Sequence, residues 1–286
     1  MSGTEMTPGE YISHHLINLT QKSPEVQNGI VDFSFINIDT LFFSILTGII
    51  AFSILFIVAR KMQAGVPGRL QAAIELLVEF VDNSCKELIN NEKSRKVIAP
   101  LGLTIFVWII FMNTMDLLPV DLLPKLWQSL SGDHHAYLRV VPTADLNTPM
   151  AIAISVLFLC IVYNIKIKGL GGWAHELFSA PFGNNIFLFI PNFLMNIIEF
   201  LSKTLSHGMR LFGNMYAGEI VFFVIALLGG TWGVAGSVGV SDVMLVLLQL
   251  FVGLAWALFH ILVIVLQAYL FMVLTFVYLG QAHDSH

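Results

Sequence analysis

The sequence predicts an all-α integral membrane protein, and three observations carry that prediction. Hydrophobic residues make up 56% of the 286 residues, and the mean hydropathy is +0.79. Charged residues make up only 12% of the chain, whereas soluble domains average about 25%. Several apolar stretches have the roughly 20 residues that a helix needs to cross a bilayer. We therefore expect a single membrane domain over residues 1–286, without an appended soluble domain.

The first predicted span covers about Ile38–Ala59 and ends at Arg60 and Lys61. The segment 60–96 holds seven of the fourteen lysines and arginines, so the positive-inside rule places it in the cytoplasm. The N-terminal segment, residues 1–37, then lies outside. It is polar and lacks the basic region and apolar core of a cleavable signal peptide.

An amphipathic helix is predicted over residues 67–90. Apolar residues recur there at helical spacing from Leu70 to Leu88, while Glu75 and Glu79 lie on the other face. Because this helix is too charged to span a bilayer, we expect it to lie along the cytoplasmic interface.

Two further upright spans complete the predicted region 38–165. The second span covers about Val97–Leu118 and runs outward. An acidic outer loop, residues 119–148, follows it and contains Asp121, Asp133 and Asp145 with Lys125 and Arg139. The third span, about Pro149–Ile165, returns to the cytoplasm and is followed by Lys166 and Lys168.

The remaining residues form two apolar stretches, Pro191–Leu228 and Ser241–Leu279, which a glycine-rich link joins. Each stretch has 38 or 39 residues, so an unbroken helix would be about 57 Å long. The hydrocarbon core is only about 30 Å thick. The helices must therefore be broken or tilted by about 60°, far beyond the usual ~20°. We expect a hairpin of two strongly tilted helices over residues 186–280.

The first of these stretches carries a polar stripe. At about 100° per residue, seven polar side chains lie within about 60° of Arg210. They are Asn192, Asn196, Glu199, Lys203, Ser206, His207 and Asn214. Glu219 lies on the opposite face, about 180° away. In the second stretch Gln249, His260 and Gln267 align within about 20° of one another, and Tyr278 extends their line.

Two interpretations of the polar stripe are open, because polar residues in a membrane either join helices or line a water-filled path. For the amides and Ser206 the two are equally good. For Lys203 we expect that its ammonium reaches the cytoplasmic interface, and for His207 that it is a satisfied packing residue. Arg210 is different, since it lies mid-helix and cannot lose its proton. It predicts an ion-translocation site.

Other classes of site have no support in the sequence. Cys85 and Cys160 are too few and too far apart for a disulfide framework or a metal cluster, and we expect no metal and no cofactor. The zinc-protease pattern H-E-x-x-H and the hydrolase pattern G-x-S-x-G do not occur. The chain shows no internal repeat, which argues against inverted-repeat transporters.

Several motifs resemble the subunit a family of bacterial F-type ATP synthases. The most specific is Arg210-Leu-Phe-Gly-Asn-Met-Tyr-Ala-Gly-Glu219, and Phe259-His-Ile-Leu-Val-Ile-Val-Leu-Gln267 supports it. Asn113-Thr-Met-Asp-Leu-Leu-Pro119, Val140-Val-Pro-Thr-Ala-Asp145 and Tyr11-Ile-Ser-His-His15 also match. The resemblance extends from about residue 10 to residue 280.

The resemblance implies a proton-translocating stator subunit that performs no ATP chemistry itself. In this family, protons enter an outer half-channel, load a carboxylate on a rotating ring of c subunits, and leave by a cytoplasmic half-channel. Arg210 corresponds to the essential cation that attracts the ionised ring carboxylate and blocks a direct leak. The physics agrees, because a permanent cation favours the ionised form of a neighbouring carboxylate.

The resemblance also assigns residues to the two half-channels. Glu219 and His260 correspond to the relay pair of the outer half-channel, with Asp116, Asn113, Asp121 and Asp145 lining it or forming its mouth. Asn214 and Gln267 correspond to neighbours of the arginine, and Gln267 is expected to contact it. Glu199, Ser206 and Asn196 are assigned to the cytoplasmic side. Close family members often have a carboxylate at position 196, so Glu199, three residues later, is expected to replace it.

The implied partners are the c-subunit ring, the b-subunit peripheral stalk, other ATP synthase subunits, membrane lipid and protons, with no nucleic acid. The implied location is the bacterial inner membrane, with the N-terminus outside and the C-terminus in the cytoplasm. The alternative is a self-contained proton-coupled secondary transporter that uses the same polar stripe. Activity of the isolated chain in liposomes would favour that alternative.

Overall fold

The structure is a computed structural model, and it describes residues 9, 16–20, 36–63, 65–119, 122–132, 138–183, 185–229 and 240–283. In this part of the chain, β-structure is limited to an isolated bridge between Thr20 and Asn37. The α-helices are α1 (Ile38–Arg60), α2 (Arg69–Leu88), α3 (Glu92–Thr114), α4 (Leu122–Ser131), α5 (Asn147–Ser179), α6 (Phe189–Gly229) and α7 (Val240–Gly280). Short 3-10 turns are Met115–Leu117, Pro142–Ala144, Ile186–Leu188 and Gln281–His283.

Five of the described helices are long and apolar enough to cross a membrane: α1, α3 with the turn after it, α5, α6 and α7. The predicted all-α membrane fold is confirmed. The bounds follow the hydropathy of the sequence, because the first residue of α1 is the predicted Ile38 and its last is Arg60. Pro100 lies inside α3, near its first turns, and the helix continues through it.

The amphipathic segment forms the helix α2, close to the predicted range 67–90. Val81 and Cys85 are the residues that it buries. Burial raises the pKa of the Cys85 thiol to about 11, so this thiol is protonated and unreactive at neutral pH. The position of α2 along the membrane interface stays a prediction.

Two helical segments depart from the sequence-based expectation. The helix of the third span, α5, continues beyond Ile165 to Ser179 across a kink at Gly169, and the point at which it leaves the membrane stays a prediction. Gly169 has φ of +74°, a conformation that glycine adopts without the steric cost of a side chain. The predicted outer loop contains the ten-residue helix α4. The sequence does not predict this helix, because leucines and polar residues simply alternate there.

The two long apolar stretches form uninterrupted helices of 41 residues each, about 60 Å long at 1.5 Å per residue. The alternative of broken helices is therefore excluded for both. A helix of this length fits a ~30 Å hydrocarbon core only at a steep tilt. The tilt itself stays a prediction.

The chain divides into two compact units, and four of their five boundaries fall inside the long helices α1, α3, α6 and α7. The first unit comprises Met1–Ile50, Ile109–Asp145 and Phe212–Leu266, and the second comprises Ala51–Trp108, Leu146–Leu211 and Gln267–His286. Within the first, Ile109, Met112, Met215 and Phe223 are buried. Within the second, Ile98, Leu211, Met272 and Phe276 are buried. Each unit also contains its own buried polar cluster.

Candidate functional site

One buried ion pair and one buried carboxylate–imidazole contact dominate the polar interior of the first unit. Arg139 Nη2 donates to Glu219 Oε2 over 2.6 Å, and both side chains are only 8% exposed. His260 Nε2 lies 2.6 Å from Asp116 Oδ2, and this pair is more deeply buried. We call Asp116, Arg139, Glu219 and His260 the acid–base cluster. Charges so far from water are stable only when they are paired.

A cavity of about 40 Å³ adjoins this cluster and is lined by Asp116, Arg139 and Glu219. A site needs only about 15 Å³ to hold one water molecule. Asp116 Oδ2 and His260 Nε2 are 2.6 Å apart, within the reach of proton transfer, although neither atom makes a hydrogen bond of good geometry among the described residues. The cluster therefore combines a carboxylate–imidazole pair, a carboxylate–guanidinium pair and space for water.

Neighbouring acids hold the chain segments that carry the cluster. Asp39 accepts hydrogen bonds from the backbone N–H groups of Leu19 and Arg139 at 2.8 and 3.0 Å. Asp145 Oδ2 accepts from Thr40 Oγ1 at 2.8 Å and also from the Asn37 amide at 2.7 Å. In this way Asp39 fixes the backbone of Arg139 beside α1.

The predicted outer-path residues reach different places. Asp116, Glu219 and His260 belong to the acid–base cluster, but Glu219 has Arg139 as a partner and His260 has Asp116. Asn113 is fully buried and accepts a hydrogen bond from Thr143 Oγ1 at 2.7 Å, as a support of the turn 142–144. Asp121 and the Tyr11–His15 motif lie outside the described residues. The proton-path roles of these residues stay predictions.

Arg139 is a cluster member that the sequence argument did not single out. In the sequence it is only one of two basic residues in the acidic outer loop, and a basic residue in a polar loop gives no reason to expect a functional site. Its signal is position, since it directly precedes the Val140–Asp145 motif. Its guanidinium also lies 5.7 Å from the centroid of the Tyr216 ring.

A larger cavity, about 360 Å³, lies within the second unit. Two lysines line it, Lys168 on α5 and Lys203 on α6, so we call it the two-lysine cavity. Lys203 pairs with Glu199 at 2.5 Å and donates to Gln281 at 2.7 Å. Lys168 pairs with Glu176, whose two carboxylate oxygens both accept at 2.8 Å. The cavity volume corresponds to about a dozen water molecules.

The predicted cytoplasmic residues differ in their relation to this cavity. Asn196 and Glu199 line it. Ser206 is exposed and instead belongs to a shallow apolar groove with Leu205 and Met209. Lys203, expected to reach the interface, is 28% exposed and bound to two partners.

Arg210 is partly exposed on α6, and its positive charge acts on His207 and Tyr278. The His207 ring packs on Phe271 with ring centroids 3.7 Å apart. His207 Nε2 is buried and has no hydrogen-bond partner in the described part of the chain. The ring is therefore packed, as expected of a packing residue, but this nitrogen is not hydrogen-bonded.

The predicted neighbours of Arg210 differ in exposure. Asn214 is exposed on the same helix. Gln267 is buried, and its Oε1 accepts no hydrogen bond from the described residues. The structure therefore contains no hydrogen bond from Arg210 to Gln267, and the expected contact between them stays a prediction.

Glycines near Arg210 fall into two groups. A side-chain carbon at Gly218 would overlap the His260 ring, and one at Gly208 would meet Met150 Sδ at 2.6 Å. These two glycines permit contacts within the chain. Gly213 has nothing within 4 Å of such a carbon, so it is open to a partner. No group of three or more metal-ligating side chains occurs among the described residues.

Comparison with known proteins gives a consistent result. The family model described as "ATP synthase A chain" matches residues 41–280. ATP synthase subunit a of Acidovorax sp. (strain JS42) is 55% identical over 98% of this chain and 97% of its own length. The proteins of the same name from Paracidovorax citrulli (strain AAC00-1) and Verminephrobacter eiseniae (strain EF01-2) are each 54% identical over the same shares.

Proposed function

This chain belongs to the ATP synthase A chain family, and we propose how its residues perform the family's work. As a member, it is the proton-translocating stator subunit of the membrane sector and part of the ATP synthase complex. It is a multi-pass bacterial membrane protein. The self-contained transporter is not favoured, because full-length relatives are synthase subunits.

One observation on α6 carries the proposed mechanism. The helix contains a single arginine, Arg210, with Lys203 and His207 of the two-lysine cavity before it and Glu219 of the acid–base cluster after it. Ionisable residues of two separate clusters thus lie on either side of one permanent cation. In the order of residues along this helix, the permanent charge of Arg210 therefore falls between the two clusters, and its proposed role is to repel protons that would pass directly from one to the other.

In the proposed cycle the acid–base cluster is the outer half-channel. The Asp116–His260 pair and Glu219 pass protons inward to a carboxylate on the rotating c-ring. Burial in lipid keeps that carboxylate neutral while it travels. When it reaches Arg210, the guanidinium favours its ionised form, and the released proton leaves through the two-lysine cavity.

The c-ring is proposed to dock against the face of α6 that carries Arg210. At about 100° per residue, the exposed Ser206, Gly213 and Ala217 lie within about 60° of Arg210 on this face. Ser202, Ser206 and Gly213 keep the neighbouring surface small, which allows close helix approach. We also propose that the chain binds the b-subunit stalk and lies in the bacterial inner membrane. Its N-terminus is then external and its C-terminus cytoplasmic.

The test is dependence on the ring. The isolated chain in liposomes is expected to conduct no protons above the lipid background, whereas the complex with its c-ring pumps on ATP addition. Both are read from quenching of a pH-sensitive dye. Proton conduction by the isolated chain at the rate of the complex would contradict the stator function.

A further inference from the structure

The two-lysine cavity contains a carboxylate, Glu176, to which the sequence assigned no role. Glu176 lies in the last turn of α5 and lines the cavity together with Glu199 and Asn196. We propose that Glu176 is the proton-accepting carboxylate of the cytoplasmic half-channel and that Lys168 is its positioning partner. This inference rests on the proposed function and assigns a residue that the resemblance does not.

Asn196 cannot supply the proton site at the position where relatives often have a carboxylate. Its Nδ2 lies within hydrogen-bond distance of three carbonyl oxygens, Leu177 O at 3.1 Å, Ala180 O at 2.9 Å and Asn192 O at 3.0 Å, among which its two N–H groups are shared. A carboxylate accepts hydrogen bonds but donates none when ionised. The amide is therefore required where it stands, as a clamp between α6 and the end of α5.

This clamp also positions Glu176. Asn192 Nδ2 donates to Phe178 O at 2.8 Å and Gly183 O at 3.1 Å, and its Oδ1 accepts from Phe182 N at 3.0 Å. Together the two asparagines bind the backbone of residues 177–183. Glu176 immediately precedes this segment. The asparagine at position 196, where relatives often have a carboxylate, therefore helps to hold the carboxylate of Glu176 at the same cavity.

The kink at Gly169 brings Lys168 to Glu176. Residues eight apart on a straight helix are separated by about 12 Å along the axis, which is too far for two short contacts. Here Lys168 Nζ lies 2.8 Å from both oxygens of Glu176. The two-fold contact fixes the orientation of the carboxylate, which is what a proton acceptor requires.

Glu199 is the weaker candidate. Its side chain is 55% exposed, whereas that of Glu176 is 28% exposed and Lys168 is 17% exposed. Glu199 pairs with Lys203 one helical turn away on α6, an arrangement common on helix surfaces. The other ionisable groups that line the cavity are Cys160, Lys168, Lys203, His207 and Tyr278.

The proposed step conserves charge and atoms. A proton delivered by a hydronium ion in the cavity binds one oxygen of the Glu176 carboxylate, and that oxygen leaves Lys168 Nζ. The resulting carboxylic acid then loses the same proton to water on the cytoplasmic side, and the ion pair with Lys168 re-forms. No other group gains or loses a proton.

The experiment compares variants within the assembled synthase. Passive proton conduction is measured in membranes stripped of the ATP-hydrolysing sector, and chain and ring amounts are checked by immunoblot. Glu176→Gln keeps the size of the side chain and a hydrogen-bond acceptor for Lys168. It is expected to lower conduction at least about tenfold, the scale of a lost acid–base group. Glu176→Asp retains most of the conduction, and the exposed Glu87→Gln is the matched control.

Lys168→Met separates proton acceptance from a structural ion pair. Because Lys168 is a positioning residue, Lys168→Met is expected to reduce proton conduction less than Glu176→Gln does, by less than about threefold. A structural pair predicts equal losses for both variants. If Glu176→Gln fails to assemble, Glu176→Cys is modified after assembly. Iodoacetate, which restores a carboxylate, is expected to raise conduction, and iodoacetamide is not.

Three outcomes overturn the inference: wild-type conduction in Glu176→Gln, losses of equal size in Lys168→Met and Glu176→Gln, or equal effects of iodoacetate and iodoacetamide. Arg210→Ala is measured in parallel. Active pumping by that variant overturns the proposed function whatever Glu176 does. An inactive Arg210→Ala beside an unaffected Glu176→Gln overturns only the role of Glu176.

Discussion

At the scale of single residues, the Arg139–Glu219 pair makes a buried carboxylate possible inside an apolar fold. Both side chains are 8% exposed. Removing one partner of such a pair leaves the other charge buried and costs about 3–5 kcal/mol. Because arginine stays charged at any physiological pH, Arg139 provides a constant counter-charge for Glu219. Arg139 therefore acts through Glu219 as a positioning residue.

Arg139→Met is expected to lower both the amount of chain in the membrane and its proton conduction. The double variant Arg139→Met with Glu219→Gln removes both charges, so the amount of chain recovers while conduction stays low. The exposed Arg69→Met serves as the control. Immunoblots and passive proton conduction provide the two readouts. Wild-type conduction in Arg139→Met alone would show that the pair has no part in the outer path.

The sequence predicted residues whose type conflicts with their surroundings and missed those whose type does not. Arg210, Glu219 and His260 stand out because charge is costly in an apolar helix. Arg139 is inconspicuous in a polar loop. It becomes a buried cation because Asp39, 100 residues earlier, binds its backbone N–H, and no local pattern encodes that contact. Glu176 was missed because a glutamate near two lysines is ordinary in a polar stretch, and the kink at Gly169 that pairs it with Lys168 is not apparent from the sequence.

At the scale of elements, α6 and α7 approach each other closely within the first unit because position 218 has no side chain. A side-chain carbon at Gly218 would overlap the His260 ring. His260 is 1% exposed, so a displaced ring would have to move against closely packed neighbours. Gly218 therefore fixes the distance between α6 and the imidazole that pairs with Asp116.

Gly218→Ala is expected to displace His260 and to lower proton conduction, at a packing cost of about 1–3 kcal/mol. Gly171→Ala is the matched control, since a side-chain carbon there meets nothing within 4 Å. Conduction and the melting temperature of the purified complex are measured for both. Equal behaviour of the two variants would contradict the close contact at Gly218.

Helix bounds were predictable where hydropathy changes sharply and unpredictable where it does not. The first span and both long helices begin and end within a few residues of the expected bounds. The extension of α5 beyond Ile165 was missed because Lys166 and Lys168 end the apolar run. This extension makes side-chain contacts through the pairing of Lys168 with Glu176 and through the asparagine clamp.

At the scale of the whole molecule, five described helices are long and apolar enough to span a membrane, and an odd number of crossings is what the proposed external N-terminus and cytoplasmic C-terminus require. The positive-inside rule predicts that the basic segment 60–96 lies in the cytoplasm, and this orientation stays a prediction. The division into two units depends on contacts between distant segments, which hydropathy does not reveal. The biological role was predicted from the Arg210–Glu219 motif, because composition indicates a membrane protein but does not distinguish one family from another.

The orientation is tested with single cysteines and a membrane-impermeant maleimide. Lys93→Cys is expected to react only from the cytoplasmic side, and Ser131→Cys only from the outside. Both positions are exposed. The native Cys85 stays silent because burial raises its thiol pKa to about 11. Reaction of the two positions from the same side would contradict the topology.

The central claim is that Arg210 separates two proton paths, and ATP-driven pumping by Arg210→Ala tests it most directly. The variant is assembled in membranes with normal amounts of chain and ring, and pumping is read from the quenching of a pH-sensitive dye. We predict that pumping is abolished, because nothing then holds the ionised ring carboxylate or blocks proton return. Normal pumping by the assembled Arg210→Ala complex would contradict this account.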